Sequence, residues 1–330
     1  MYSKIEDLSI ELWLEIFTYL KIRHQFNTFF NLNKRLNQIL LSYQPHITLK
    51  NNDEDTQYIL KYVSPYLIHR ENVTGLRLEN TNKVDLSNNA KLLYFPRVAT
   101  LFLHRLHITK DFLNLFQQNS TYLRYLNISS IVSGDKIMMH QLLEIILSLS
   151  NLQTLHLGLR MSMSPIQLRI SSKSPIKNLK LIGLNEIFFI DRLIILLQYL
   201  PYLQSLHIIT NQINFISTKN TDNISCTNSI SSFTLNIHEF IVSFVQFTNF
   251  ILRIIPYVQE LKIICRSPVQ NFDYLNHREW IMFIQSLPNL KKITLDISRS
   301  NDIDEQIWNK KCQMLIKLMI KNHIILQIVK

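Results

Sequence analysis

The sequence predicts an α/β chain, with a short all-α module over residues 1–45 and an α/β solenoid over residues 46–330. The solenoid is expected to carry a parallel concave sheet and convex helices. Three observations point there. An apolar-x-x-apolar-x-apolar motif recurs nine times at nearly regular intervals. Five of the nine prolines stand one or two residues ahead of such a motif. The opening segment follows neither rule and repeats its apolar residues every fourth position.

The motif's middle apolar residues are Leu76, Leu101, Leu126, Leu155, Leu179, Leu206, Phe233, Leu261 and Ile293. At 47% hydrophobic residues, a chain of this length yields roughly 30 chance matches to so loose a pattern. The register decides. The intervals run 25, 25, 29, 24, 27, 27, 28 and 32 residues, the period of a stacked supersecondary unit. Pro96, Pro175, Pro201, Pro256 and Pro288 supply the punctuation, because proline stops a preceding helix and cannot donate into a following ladder. Further strands are expected at Ile47–Leu49 and Ile324–Val329, bracketing the array.

Amphipathic segments lie between the strands. Helices are expected over Thr109–Gln118, Asp135–Leu149, Glu186–Leu200, Glu239–Ile255, Asn276–Leu287 and Asp304–Lys321. Asp135 and Asp304 are suitable anions for a first turn. Each unit then reads as strand, turn and helix. From Pro45 to Lys330 the pattern resembles the leucine-rich-repeat family of the longer, helix-bearing kind. Leu203-x-x-Leu206-x-Ile208-x-x-Asn211-x-Ile213 matches the full family pattern, whereas Leu106, Ile131 or Leu184 stands in the asparagine place of other units.

In the N-terminal segment, Leu8, Leu12, Ile16 and Leu20 form a helical stripe that Trp13 and Phe17 widen. Phe26, Phe29, Phe30 and Leu32 lead into Leu36, Ile39 and Leu40. So small a module is marginal alone and should bury its stripes against the solenoid, a partner, or both. Leu8-Ser9-Ile10-Glu11-Leu12, Glu15-Ile16-Phe17-x-Tyr19-Leu20 and Leu32-Asn33-Lys34-Arg35-Leu36 together resemble an F-box. Ser9 stands where the family has proline, and Leu36 where many members have tryptophan. The resemblance implies the substrate-recognition subunit of an SCF-type ubiquitin ligase. Its module would dock on a Skp-type adaptor, and through it on a cullin–RING core, while the repeats capture a protein substrate. Leu8, Leu12, Ile16, Phe17 and Leu20 would then share the adaptor contact and the module's own packing. A repeat scaffold unconnected to ubiquitin, an F-box protein acting outside the ligase and a basic nucleic-acid binder are the alternatives.

Composition narrows the chemistry. The four glycines, Gly75, Gly134, Gly158 and Gly183, are too dispersed for a dinucleotide or phosphate-cradling loop. The three cysteines, Cys226, Cys265 and Cys312, form no C-x-x-C pair, and Cys265 reads as a buried structural thiol. His104 and His107 read as surface histidines, not a metal pair. Ser164-Pro165, Ser174-Pro175, Ser267-Pro268 and the polar stretch Ser217–Ser229 read as loops. No catalytic residues, cofactor or metal are expected. An acidic N-terminus and the lack of an 18-residue apolar run suggest no leader or membrane span, hence a cytoplasmic or nuclear protein. The net charge of +11 is scattered, its adjacent basic pairs being Lys34-Arg35, Lys291-Lys292 and Lys310-Lys311. That suits a solubilising surface better than a nucleic-acid stripe.

Strand alternation names the binding face. Residues between the inward apolar positions should point outward: Arg77, Phe102, Tyr125, His156, Lys180, His207, Lys262 and Lys292. Arg124, Lys177 and Lys291 flank them, and Glu79, Glu260 and Asp296 oppose them. Of these, Arg77, Phe102, Tyr125, Lys177, Lys180, His207 and Lys262 are the expected substrate contacts, suited to a partner that carries acidic residues.

Overall fold

A computed structural model describes residues 7–42, 46–50, 54, 58, 62, 74–79, 97–105, 108–129, 136–158, 174–214, 229–238, 243–265, 267, 275–297 and 303–329. Several positions singled out in the sequence lie outside the described residues: Pro96, Leu106, His107, Ile131, Asp135, Ser164, Cys226, Glu239 and residues 217–228. The chain divides into two compact units, Met1–Leu152 and Gln153–Lys330.

The first unit opens with three helices, α1 (Ile10–Tyr19), α2 (Ile22–Phe29) and α3 (Lys34–Ser42). Ser9 starts α1: its Oγ accepts from the Leu12 N–H at 3.4 Å, so the residue in the proline place of the motif serves as an N-cap. The chain leaves α1 beneath Gln25, whose buried amide donates to the Phe17 carbonyl at 2.7 Å and the Leu20 carbonyl at 2.9 Å. Those bonds satisfy carbonyls that a helix end leaves open. Asn33 caps α3 by accepting from the Leu36 N–H at 2.8 Å. Arg35 reaches back to donate to the Leu8 carbonyl at 2.7 Å.

The module's core is aromatic. Trp13, Phe17 and Phe29 lie with ring centroids 5.2 to 5.7 Å apart. The buried face of α1 is therefore Trp13–Phe17, rotated from the leucine stripe expected from the four-residue spacing. Two large rings bury more apolar surface than the leucines beside them.

After the module come β1 (His46–Lys50), β2 (Gly75–Glu79), β3 (Thr100–His104), α4 (Lys110–Asn119), β4 (Tyr125–Ile128) and α5 (Lys136–Ser148). The strands pair in parallel, β1 with β2, β2 with β3 and β3 with β4. Thr109 caps α4 through its side chain. In β3 and β4 buried and half-buried residues alternate, with Leu101, Leu103, Leu126 and Ile128 inward.

The second unit holds β5 (Thr154–Gly158), β6 (Asn178–Phe189), α6 (Ile190–Gln198), β7 (Ser205–Asn214), β8 (Ser232–Ile237) and α7 (Phe244–Ile254). There follow β9 (Glu260–Cys265), α8 (His277–Gln285), β10 (Lys292–Asp296), α9 (Glu305–Lys321) and β11 (Ile325–Val329). Its strands pair in parallel in chain order from β5 to β11. Neighbours in sequence are neighbours in space, as a solenoid-like α/β architecture requires.

The repeat is also written in the backbone. Ahead of five successive strands of the second unit, one carbonyl accepts two successive N–H groups from the next repeat. Gln153 accepts from Lys177 and Asn178, Lys177 from Gln204 and Ser205, Gln204 from Ser231 and Ser232, Ser231 from Gln259 and Glu260, and Gln259 from Lys291 and Lys292. The same device joins Thr74 to Ala99 and Thr100 in the first unit. These bonds step along the chain with the intervals of the apolar motif.

Helices close one face of the second unit. Phe233 of β8 meets Phe250 of α7 at 6.1 Å, and Phe244 of α7 meets Trp280 of α8 at 4.8 Å. Two helices differ from expectation. The segment expected as helix from Glu186 extends β6 instead, with Ile187, Phe188 and Phe189 opposite Gln212, Ile213 and Asn214 after a register shift. β-branched and aromatic residues favour the extended pairing, and the helix starts only at Ile190. The helix expected from Glu239 starts after Ser243, where Ser243 and Gln246 form a reciprocal capping box.

Candidate functional site

Because side chains alternate along a strand and neighbours are in register, every second position forms a row across the sheet. In the second unit the central outward row reads His156, Lys180, His207, Thr234, Lys262, Thr294 and Gln327. The row two residues earlier reads Thr154, Asn178, Ser205, Ser232, Glu260 and Lys292. Three of the four expected contacts here, Lys180, His207 and Lys262, share the central row. Lys177 does not: it is exposed just before β6, where its carbonyl anchors the next strand. Lys292 belongs to the earlier row, opposite Glu260.

His207 is the most perturbed group on this face. Burial, reinforced by Lys180, His156 and Lys262, pushes its pKa down to about 4. Its Nε2 is shielded from solvent and has no hydrogen-bond partner among the described residues. The His156 pKa is lowered too, by burial and then by Lys180. At neutral pH the two imidazoles are therefore uncharged, with the lysines supplying the positive charge.

A stability prediction follows from the sign of that shift. The unfolded chain takes up a proton at His207 near the ordinary pKa of 6.5, while the folded chain refuses it until about pH 4. This contribution to stability is full above pH 6.5 and is lost as the pH falls toward 4. Urea denaturation at pH 7.5 and pH 5 should show a smaller loss for His207→Gln than for the parent. Equal losses would remove His207 from the acid response.

In the first unit Thr48, Arg77, Phe102 and Asn127 form the equivalent row. Tyr125 stands two residues away, opposite Thr100, yet its ring lies 5.3 Å from that of Phe102. The Arg77 guanidinium carbon sits 6.0 Å from the Phe102 centroid. The expected trio thus forms one contiguous patch, its two rings tilted at 45° to each other, with cation–π character.

The five expected adaptor contacts separate by burial. Phe17 is fully buried and Leu12 is 47% exposed, while Leu8, Ile16 and Leu20 are half-buried. Ile10, Tyr19 and Leu32 are also exposed, at 50%, 81% and 60%. Sequence reasoning passed over both Ile10, which lies off the leucine stripe, and Tyr19, which lies on it seven residues after Leu12. It also passed over Thr234 and Thr294 in the sheet row. The signal there was their place between the last two apolar residues of the motif, the place His207 and Lys262 hold in their own repeats.

Two histidine–serine pairs recur at strand ends. His104 Nδ1 is 2.7 Å from Ser129 Oγ, and His238 Nδ1 is 3.2 Å from Ser267 Oγ. In each, the serine N–H also bonds a carbonyl of the preceding repeat, so the pair joins consecutive repeats. Cys265 is buried beside the second pair, its Sγ 3.0 Å from the Ser267 carbonyl. Among the described residues no group of three or more His, Cys, Asp or Glu is placed to hold a metal, and no helix is long and apolar enough to cross a membrane.

The chain matches no protein-family model and no curated protein. Its surfaces are therefore read from their own chemistry. One is an apolar helical face carrying Leu12 and Tyr19, with Ile10 exposed at the start of the same helix. The other is a sheet face on which lysines alternate with neutral polar groups.

Proposed function

We propose that this chain is the substrate-recognition subunit of an SCF-type ubiquitin ligase, built as an F-box module ahead of leucine-rich repeats. The helical module docks on a Skp-type adaptor, which links it to a cullin–RING core, and the outward sheet positions capture a protein substrate. The reading is supported chiefly by the F-box-like run from Leu8 to Leu36, standing directly ahead of a repeating strand array. The exposure of Ile10, Leu12 and Tyr19 agrees with it, since large apolar side chains gathered on one short helix suit a protein contact. The burial of Phe17 assigns that ring to the module's own packing.

Co-purification with a Skp-type adaptor is the deciding experiment. The parent chain should retain the adaptor through size-exclusion chromatography. An intact, folded chain that fails to retain it would leave a repeat scaffold unconnected to ubiquitin. On the sheet face, the double reversal Lys177→Glu with Lys180→Glu should weaken capture of an acidic partner and leave adaptor retention unchanged. Unchanged capture, with loss on altering an exposed helix residue such as Met282, would move the substrate surface to the helices.

A further inference from the structure

The central outward row of the second unit has a charge pattern as well as a sign. Within it Lys180 on β6 and Lys262 on β9 flank two uncharged positions, His207 on β7 and Thr234 on β8. Neighbouring strands are about 4.8 Å apart, so three steps separate the two lysine columns by about 14 Å. An extended peptide rises about 3.4 Å per residue and alternates its side chains, so residues i and i+4 share a face about 13 to 14 Å apart. The two spacings match. Residue i+2 then falls above His207 and Thr234, while i+1 and i+3 face away.

We propose that this row binds an extended segment of a protein partner, lying across β6 to β9, with carboxylates at i and i+4 and a neutral hydrogen-bonding residue at i+2. Charge complementarity selects the ends. Among the described residues neither Lys180 nor Lys262 has an ion-pair partner. The charged and titratable groups acting on the centre are Lys180 from β6, His156 from β5 and Lys262 from β9, while Glu260 of β9 and Lys292 of β10 stand opposite each other in the adjacent row. The middle is selected by neutrality. His207 carries no charge near neutral pH. A serine, threonine or asparagine at i+2 meets the Thr234 hydroxyl beside the uncharged imidazole. Asn178, Ser205 and Ser232 in the adjacent row extend the polar surface beneath the segment.

This inference rests on reading the outer sheet face as the substrate surface, and not on the adaptor contact. Its test uses the full chain and short valine- and threonine-rich peptides, whose β-branched residues disfavour the helix that would bring i and i+4 closer. A glutamate pair is placed at i and i+4, or at i and i+2, or replaced by glutamine. Binding is followed at fixed ionic strength through the imidazole NMR signals of His156 and His207. The i, i+4 peptide should bind about tenfold more tightly than either of the others. Lys180→Met and Lys262→Met should each abolish that preference, with thermal melts matching the parent, and Lys180→Gln and Lys262→Gln serve as a second pair. Affinity independent of spacing, a preference that survives these substitutions, or no saturable shift would each overturn the proposal. Such failure with adaptor retention intact removes the peptide seat alone. Loss of adaptor retention with spacing-selective binding intact removes the ligase reading alone.

Discussion

Phe17→Ala should lower the unfolding free energy of the first unit by about 3–5 kcal/mol, the cost of emptying a closed aromatic site. Phe17 has no exposed surface and touches both Trp13 and Phe29, so neighbouring rings cannot collapse into the space without losing contacts of their own. Leu12→Asp should change stability by only about 0.5 kcal/mol, as expected of an exposed site. Leu12 lies in the first turn of α1 and is 47% exposed, and a carboxylate is favoured at a helix N-terminus. Yet Leu12→Asp should abolish adaptor retention, because it puts a charge into the proposed apolar contact. Urea denaturation followed by tryptophan fluorescence, paired with adaptor pull-down, separates the two effects. If Leu12→Asp retains the adaptor, this face is not the contact.

Leu179→Ala and Lys180→Ala should differ as sharply, although the residues are adjacent. Leu179 is buried in β6, whereas Lys180 lies on the outer row. The first substitution should cost about 2–5 kcal/mol through lost burial and a residual cavity. The second should stay within about 0.5 kcal/mol and act on partner capture. Chemical denaturation of both variants at pH 7.5 checks this. A large loss for Lys180→Ala would mean that its aliphatic stem is part of the packing.

The strand positions were legible because a sheet with one buried face must alternate, and the motif records the inward half of that alternation. Leu206 and Ile208 name an inward pair, so His207 between them had to face out. Prolines fixed the phase, and Asn276 and Asp304, each read as the opening residue of a helix, cap α8 and α9 through their side chains. Glu186–Phe189 was misread as helix because an apolar run of that length fits either period. The choice fell to β7, which offers a partner strand as far as Asn214. The stripe of α1, with Trp13 and Phe17 beside it, left packing and contact undivided for a related reason. Four-residue spacing fixes a helix and its candidate faces, but not which face meets the other helices.

By itself, then, the sequence determined the periodic quantities: the repeat length, the inward and outward halves of each strand, several helix starts, and the candidate face with its basic residues. Those follow from local geometry, in which a period of two or 3.6 residues maps directly onto a face. Only the tertiary structure decided quantities that depend on residues distant in the chain. It buried Trp13 and Phe17 and left Leu12 and Tyr19 outside, because Phe29 supplies the ring that closes the module. It put Lys180, His207 and Lys262 in one row and left Lys177 off it, because strand register is set by backbone bonds between repeats. It also left His207 uncharged, since burial and three neighbouring basic side chains act on it only once β5, β6, β7 and β9 are assembled.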